Sequence, residues 1–302
     1  LSDNLGSILD KAIASDDASD LARLLSELER SGVDSLKNPR LLKPTKCTPR
    51  IGITGPPGAG KSTLMSALVK QWLSENKKIA VIAVDPSNTK NQGAILGDRI
   101  RYGEWITHPN IFVRSIGTRG SLGGLSSSVH LMLRAFDLLK FDVVLIETVG
   151  VGQTEVEIMY AADHVVLVLV PESGDSIQAM KSGILEIAST VVVNKSDRPG
   201  ADAIKHEIEN ELMSREENDK NTVRVFSTVA TSDKGVPELS QHLMTEVKKG
   251  IVEKRKAASR LKAELKSLLR EDLENYINAQ MTDLKTNEDV LGVVLHMQNK
   301  MK

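Results

Sequence analysis

The chain has 302 residues, 40% of them apolar, so one large domain with a substantial core can form. Charged residues make up 26% and nearly cancel to a net charge of -1, which gives no reason to expect a nucleic-acid or membrane-surface partner. The single cysteine, Cys47, excludes an internal disulfide and a cysteine-based zinc site. No apolar run approaches the ~20 residues that span a bilayer, and no basic stretch followed by an apolar core opens the chain. The chain begins at Leu1 rather than Met, which leaves room for a missing leader or first residue. A cytoplasmic protein without nucleic-acid or membrane partners is the expectation.

Residues 1–49 read as a helical region. Ile8, Leu9 and Ile13, then Leu21, Leu24, Leu25 and Leu28, recur at three- and four-residue steps. The pairs Asn38-Pro39 and Lys43-Pro44 are expected to break the chain. Residues 50–250 alternate short Val/Ile-rich runs (51–53, 79–84, 143–146, 165–170, 191–193 and 223–226) with longer helical patterns. The runs show little alternation, as strands buried on both faces do. An α/β fold follows, with a mostly parallel sheet wrapped by helices.

The first run leads into Gly55, Pro56, Pro57, Gly58, Ala59, Gly60, Lys61, Ser62 and Thr63, and then into an amphipathic pattern over 64–73. This is G-x-x-x-x-G-K-[ST] between a strand and a helix, the context a phosphate-binding loop requires. Glycines let backbone N–H groups curl toward phosphate oxygens, and the helix N-terminus adds partial positive charge. Lys61 should reach the β- and γ-phosphates, and the Ser62 hydroxyl should bind Mg²⁺. A chance glycine turn is the bland alternative, and the flanking strand and helix argue against it.

Further along, Asp85 closes the run at 79–84, and Asp98 follows the polar stretch 88–93. Both are candidates for the metal shell or the attacking water, with helix caps or turn residues as the alternative. The segment between them suits a loop that orders over Mg-nucleotide. Residues 119–124, with Gly120, Gly123 and Gly124, are either a glycine turn or a hinge near the site. Glu147 leaves the run at 143–146, and Gly150 follows three positions on. An acid and a glycine so spaced suit magnesium held through water and a backbone N–H on the γ-phosphate. A solvated strand-end carboxylate is the plain reading of Glu147. Val151 occupies the place where Ras-like enzymes carry a water-orienting glutamine, so slow turnover is expected.

Asn194, Lys195, Ser196 and Asp197 follow the run at 191–193 and fit N-K-x-D. The Asp197 carboxylate can accept from guanine N1–H and its exocyclic amine, a donor pair adenine lacks. Asn194 would polarise the loop and approach the base edge, with the Lys195 stem over the ring. Alone the tetrapeptide is weak. At a strand end downstream of a phosphate loop it points to guanosine. The six histidines show no metal-ligand spacing and read as structural or exposed, and Trp72 and Trp105 read as packing residues.

Residues 251–302 return to a charged helical pattern with Leu261, Leu265, Leu268 and Leu269 as one stripe and Leu291, Val294 and Leu295 as another. A solvated arm and a dimer interface both fit.

Taken in order, GPPGAGKST, AVDPS, LGDR, TRGSLGG, ETVGVGQ and NKSD resemble the MeaB/ArgK branch of P-loop GTPases, over roughly residues 40–245. The resemblance implies a GTP/GDP- and Mg²⁺-dependent GTPase acting as chaperone to an adenosylcobalamin-dependent acyl-CoA mutase, usually methylmalonyl-CoA mutase. It implies cofactor loading, protection or rescue of that enzyme, and a homodimer built on the C-terminal helical arm. It also places Lys61, Asp85, Asp98 and Glu147 around the reacting phosphate and magnesium. Asp175, Gln178 and Lys181 fall in a switch that communicates with the mutase. The last guanine-supporting loop, often S-A-L, is Thr228-Val229-Ala230 here, so only a backbone N–H, from Ala230, would serve. DPSS followed by a Ser/Gly-rich stretch is replaced by Asp85-Pro86-Ser87-Asn88 and a polar run, a departure that bears on mutase pairing. Three alternatives remain. A transport-linked ATP-dependent kinase of the lysine/arginine/ornithine system should prefer ATP, against Asp197. A nickel-delivering metallochaperone GTPase should carry Cys/His ligands. A nucleotide-gated binding module would hydrolyse negligibly.

Overall fold

The structure, a computed structural model, describes residues 2–15, 17–44, 46–85, 103–117, 127–148, 160–171, 184–215, 223–249, 251 and 258–280. Helices α1 (Ser2–Ala14) and α2 (Ala18–Ser31) open the chain. The Asp17 side chain accepts from the Ser19 N–H and caps α2, whose Leu21, Leu24, Leu25 and Leu28 face inward. Asn38-Pro39 starts a helix rather than only interrupting one. Asn38 accepts from the Arg40 N–H, and Pro39 occupies the first turn of α3 (Pro39–Leu42), where its missing N–H costs nothing.

Seven parallel strands follow: β1 (Arg50–Thr54), β2 (Ile79–Asp85), β3 (Ile111–Gly117), β4 (Val143–Thr148), β5 (His164–Leu169), β6 (Thr190–Val193) and β7 (Arg224–Ser227). Their order across the sheet is β3-β2-β4-β1-β5-β6-β7. Six of the seven match the apolar runs of the sequence. The seventh, β3, lies at the sheet edge, where Arg114 and Ser115 remain half-exposed and interrupt the apolar pattern. Among the described residues, the α-helices between and after the strands are α4 (Lys61–Ser74), α5 (Ser127–Phe136), α6 (Ile184–Ile187), α7 (Ala201–Arg215), α8 (Val236–Glu246) and α9 (Ala258–Gln280).

Both faces of the sheet are covered, which explains the unbroken apolar runs. On β5, Val166 and Val168 pack toward α4 and α8, whereas Leu167 and Leu169 pack toward α7. The N-terminal helices share a core with α5, β2 and β4. Trp72 of α4 is fully buried and donates its indole N–H to Ser240 Oγ of α8 at 2.8 Å, which fixes the helix that starts at the phosphate loop.

Charged groups gather at the foot of β1. Buried Arg50 pairs with Asp137 at 2.6 Å, and its backbone N–H donates to Asp163. Helix α9 joins them through Arg260 to Asp163 at 3.1 Å and Glu264 to Arg134 at 2.6 Å, with Leu268 buried below. Burial pushes the His130 imidazole down to about 4; the Glu264 carboxylate opposes this and Arg50, Arg134 and Arg260 add to it.

Candidate functional site

The chain leaves β1 toward β2 on one side of it and returns from β4 to β5 on the other. The carboxyl ends of these central strands are therefore where a crevice forms. Gly55 begins the loop there at φ 140°, and a Cβ on it would stand 2.1 Å from the Val168 carbonyl oxygen of β5. Only glycine lets the loop pass so close to the neighbouring strand. Gly60, at φ 84°, ends the loop as the N-cap of α4 and offers no side-chain cap. The first-turn N–H groups of α4 thus have no capping side chain from Gly60.

Lys61 is buried and donates its ammonium to the carbonyls of Gly55 at 2.7 Å and Pro56 at 3.1 Å. Its charge lies inside the curl of the loop. Ser62 donates its hydroxyl to Glu147 Oε1 at 2.6 Å. Register explains the meeting: Ile53, just before the loop, pairs with Glu147 on β4. Glu147 is only 7% exposed, so the solvated strand-end reading does not hold. A hydroxyl and a carboxylate oxygen side by side are hard donors that suit magnesium.

A second loop packs against the first. Asn194 is 2% exposed, and its amide makes three hydrogen bonds. Nδ2 donates to the Ala59 carbonyl at 3.0 Å, while Oδ1 accepts from Thr228 Oγ1 at 3.1 Å and the Ala230 N–H at 3.2 Å. Lys195, held at φ 55°, donates Nζ to the Gly58 carbonyl at 2.8 Å. Asparagine and lysine thus strap the 194–197 segment to the phosphate loop, and Asp197 is left exposed beside them. In the sequence, Thr228 stands only as the first residue of the loop that replaces S-A-L. It is fully buried and holds the asparagine amide in one orientation, a contact between distant segments that no local pattern announces.

Pro57, Gly58, Ala59 and Thr63 complete the loop and the first turn of α4, and Ala59 is fully buried. Asp85 ends β2 two residues past the pairing of Ala83 with Glu147, at the same end of the sheet. Asp98, Gly150, Asp175, Gln178, Lys181 and the 119–124 segment lie outside the described residues.

A glycine loop between the central strand of a seven-stranded parallel sheet and a helix, closed by lysine and serine, defines a P-loop nucleotide-binding protein. The family model described as methylmalonyl Co-A mutase-associated GTPase MeaB matches residues 28–282. The chain belongs to this family, and it is a MeaB-family GTPase. A Pyrococcus horikoshii protein whose name marks it as a candidate GTPase is 42% identical over 253 residues, spanning 82% of this chain and 78% of its own length. GTPase ArgK of Escherichia coli is 36% identical over 196 residues, covering 64% of this chain and 59% of that protein. The mouse protein named methylmalonic aciduria type A homolog, mitochondrial, is 40% identical over 148 residues, covering 49% of this chain and 36% of its own length. A solved structure titled LAO/AO transport system kinase superposes with a TM-score of 0.67 at 25% identity, covering 100% of this chain and 94% of that one. No helix among the described residues is long and apolar enough to cross a membrane.

Proposed function

We propose that this chain binds GTP and GDP with Mg²⁺ between the 55–63 and 194–197 loops, hydrolyses GTP slowly, and acts as a nucleotide-gated chaperone for an adenosylcobalamin-dependent acyl-CoA mutase. Methylmalonyl-CoA mutase is the first client to test, a choice supported by the family description and the mouse relative's name. The observation that carries the nucleotide reading is the pair of bonds from Asn194 and Lys195 to the phosphate-loop carbonyls of Ala59 and Gly58. They bring two sequence-distant motifs into contact, which supports a single nucleotide site shared between them.

In this reading the Lys61 ammonium turns from the loop carbonyls to the β/γ-phosphate oxygens, where it offsets developing charge. Loop N–H groups from Gly58 to Thr63 hold the phosphates. Asp197 selects guanine through its N1–H and amine, and Asn194 with the Ala230 backbone keeps the base wall in place. Ser62, directly, and Glu147, through a water, would hold the magnesium, which would supply Lewis-acid neutralisation of the phosphates. Asp85 and Asp98 complete the acid set, one of them orienting water, and the Gly150 N–H meets the γ-phosphate. Val151 in place of a glutamine supports slow turnover. Asp175, Gln178 and Lys181 are assigned to communication with the mutase.

A homodimer belongs to the same proposal. Helix α9 turns Arg260, Glu264 and Leu268 inward, while Leu261, Leu265, Leu269 and Leu273 stand 51%, 54%, 57% and 40% exposed at four-residue steps. A straight row of half-exposed leucines supports burial against a second copy. Calorimetry with GTP and ATP, then single-turnover GTP hydrolysis with and without methylmalonyl-CoA mutase, tests the reading. Tighter binding of GTP and a mutase-dependent rate are expected. ATP bound as tightly as GTP would sink the nucleotide assignment, and a rate indifferent to the mutase would sink the client.

A further inference from the structure

At the opposite end of the sheet, two imidazoles converge on one buried hydroxyl. Thr190 Oγ1, at the start of β6, stands 2.8 Å from Nε2 of His164 on β5 and 3.1 Å from Nε2 of His242 on α8. Thr190 is fully buried, His164 is 4% exposed, and the two rings meet edge to face with centroids 5.9 Å apart. Phe226 of β7 packs against His242 in a tilted arrangement, with ring centroids 4.9 Å apart.

A threonine hydroxyl has one hydrogen to give and two lone pairs to offer. With both rings neutral, one Nε2–H donates to Oγ1 and the hydroxyl donates to the other ring nitrogen. With one ring protonated, that ring is the donor and the array stays satisfied. With both protonated, both rings donate, the hydroxyl hydrogen is stranded in a buried site, and two like charges face each other. The charged neighbours relieve this only in part: the Glu246 carboxylate favours a charge on His242 and also faces His164. Glu246 lies one helical turn beyond His242 but is engaged by Lys249 at 2.7 Å, and Arg224 of β7 and Lys249 oppose a charge on the ring. Burial already pushes the His242 titration below the ordinary histidine range.

We propose that His164, Thr190 and His242 form a proton-gated clasp that holds α8 to the sheet while one ring is neutral, and that opens when both rings are protonated, loosening the base side of the nucleotide pocket. The link runs along the chain. β6 leads from Thr190 directly into Asn194, and α8 begins just after the loop that carries Thr228 and Ala230. Gly235 binds that loop closely to β7, since a Cβ there would lie 2.1 Å from the Ser227 carbonyl oxygen. The regulatory half of the proposal rests on the reading of 194–197 and 228–230 as the base pocket.

Nitrogen-15 histidine spectra of the full wild-type chain test the clasp without a variant. At neutral pH one of the two rings should be the Nε2–H tautomer and the other the Nδ1–H tautomer. One ring should stay neutral through the pH range in which an ordinary histidine takes up its proton. Two rings titrating together in that range would overturn the clasp. Release of a fluorescent GDP analogue at about pH 7.5 and about pH 5.5 tests the consequence. Acid should speed release from wild type severalfold more, up to ~tenfold, than from His242→Gln, whose amide can donate and accept but does not titrate. Equal acid sensitivity in the two would overturn the regulatory half. A chain that holds no guanine nucleotide at either pH would defeat the pocket reading instead, while the spectra still decide the clasp.

Discussion

Replacing Asn194 tests whether the base-side loop shapes the phosphate loop. In Asn194→Ala the buried Ala59 carbonyl loses its donor, and the Thr228 hydroxyl and the Ala230 N–H lose their acceptor. Each unpaired buried group costs about 1–3 kcal/mol, and water entering the space left by the amide recovers part of the sum. A net penalty of ~2–4 kcal/mol is expected, or ~30- to 1,000-fold in affinity if it falls on the bound state. Asn194→Asp sharpens the test. It keeps acceptors for Thr228 and Ala230 but sets an anionic oxygen where Nδ2 now stands, 3.0 Å from the Ala59 carbonyl oxygen. It should lose at least as much affinity for GDP as the alanine variant. Calorimetry with GDP and magnesium reads the binding, and thermal unfolding without nucleotide reads the loss of fold stability alone. Both variants folded and binding GDP within about threefold of wild type, under ~1 kcal/mol, would refute the reasoning.

Two further outcomes follow from geometry and burial. Gly55→Ala should cost more than ~4 kcal/mol or prevent folding, because the new Cβ meets the Val168 backbone; Gly58→Ala meets open space and should cost only the ~1–2 kcal/mol of its left-handed backbone. Urea denaturation of the pair checks the contrast, and equal losses would contradict it. His130 titrates at about 4 in the fold against 6.5 unfolded, so the unfolded chain binds its proton first as pH falls. Stability is undiminished by His130 above about pH 6.5 and falls as pH drops toward about 4, where the loss reaches ~3 kcal/mol. His130→Gln should flatten that part of the stability profile, and an unchanged acid slope would exclude His130 as its source.

Much of the site is written locally. The residues from Gly55 to Thr63 declare their own bend, because glycine spacing, a preceding apolar run and a following amphipathic run all belong to neighbouring positions. The same holds for Glu147 and Asn194, each placed at the end of a Val/Ile run whose strand character needs no partner to be seen. Local pattern fails at β3, where an edge position tolerates Arg114 and Ser115, and at Asn38-Pro39, where the two breakers serve as cap and first turn.

What the sequence alone determined is the parallel α/β class, the phosphate loop and the N-K-x-D tetrapeptide at a strand end, since each depends on residue types a few positions apart. Only the tertiary structure decided which of these touch. The parallel register brings Ser62 to Glu147, packing turns Asn194 and Lys195 onto the phosphate loop, and Thr228 is set to orient the asparagine. The same packing joins His164, Thr190 and His242, and turns Arg260, Glu264 and Leu268 of α9 inward and Leu261, Leu265, Leu269 and Leu273 out. Such contacts link segments far apart in the chain, so they depend on how the strands are ordered and which faces the helices cover, and strand order is not a property of any stretch of sequence.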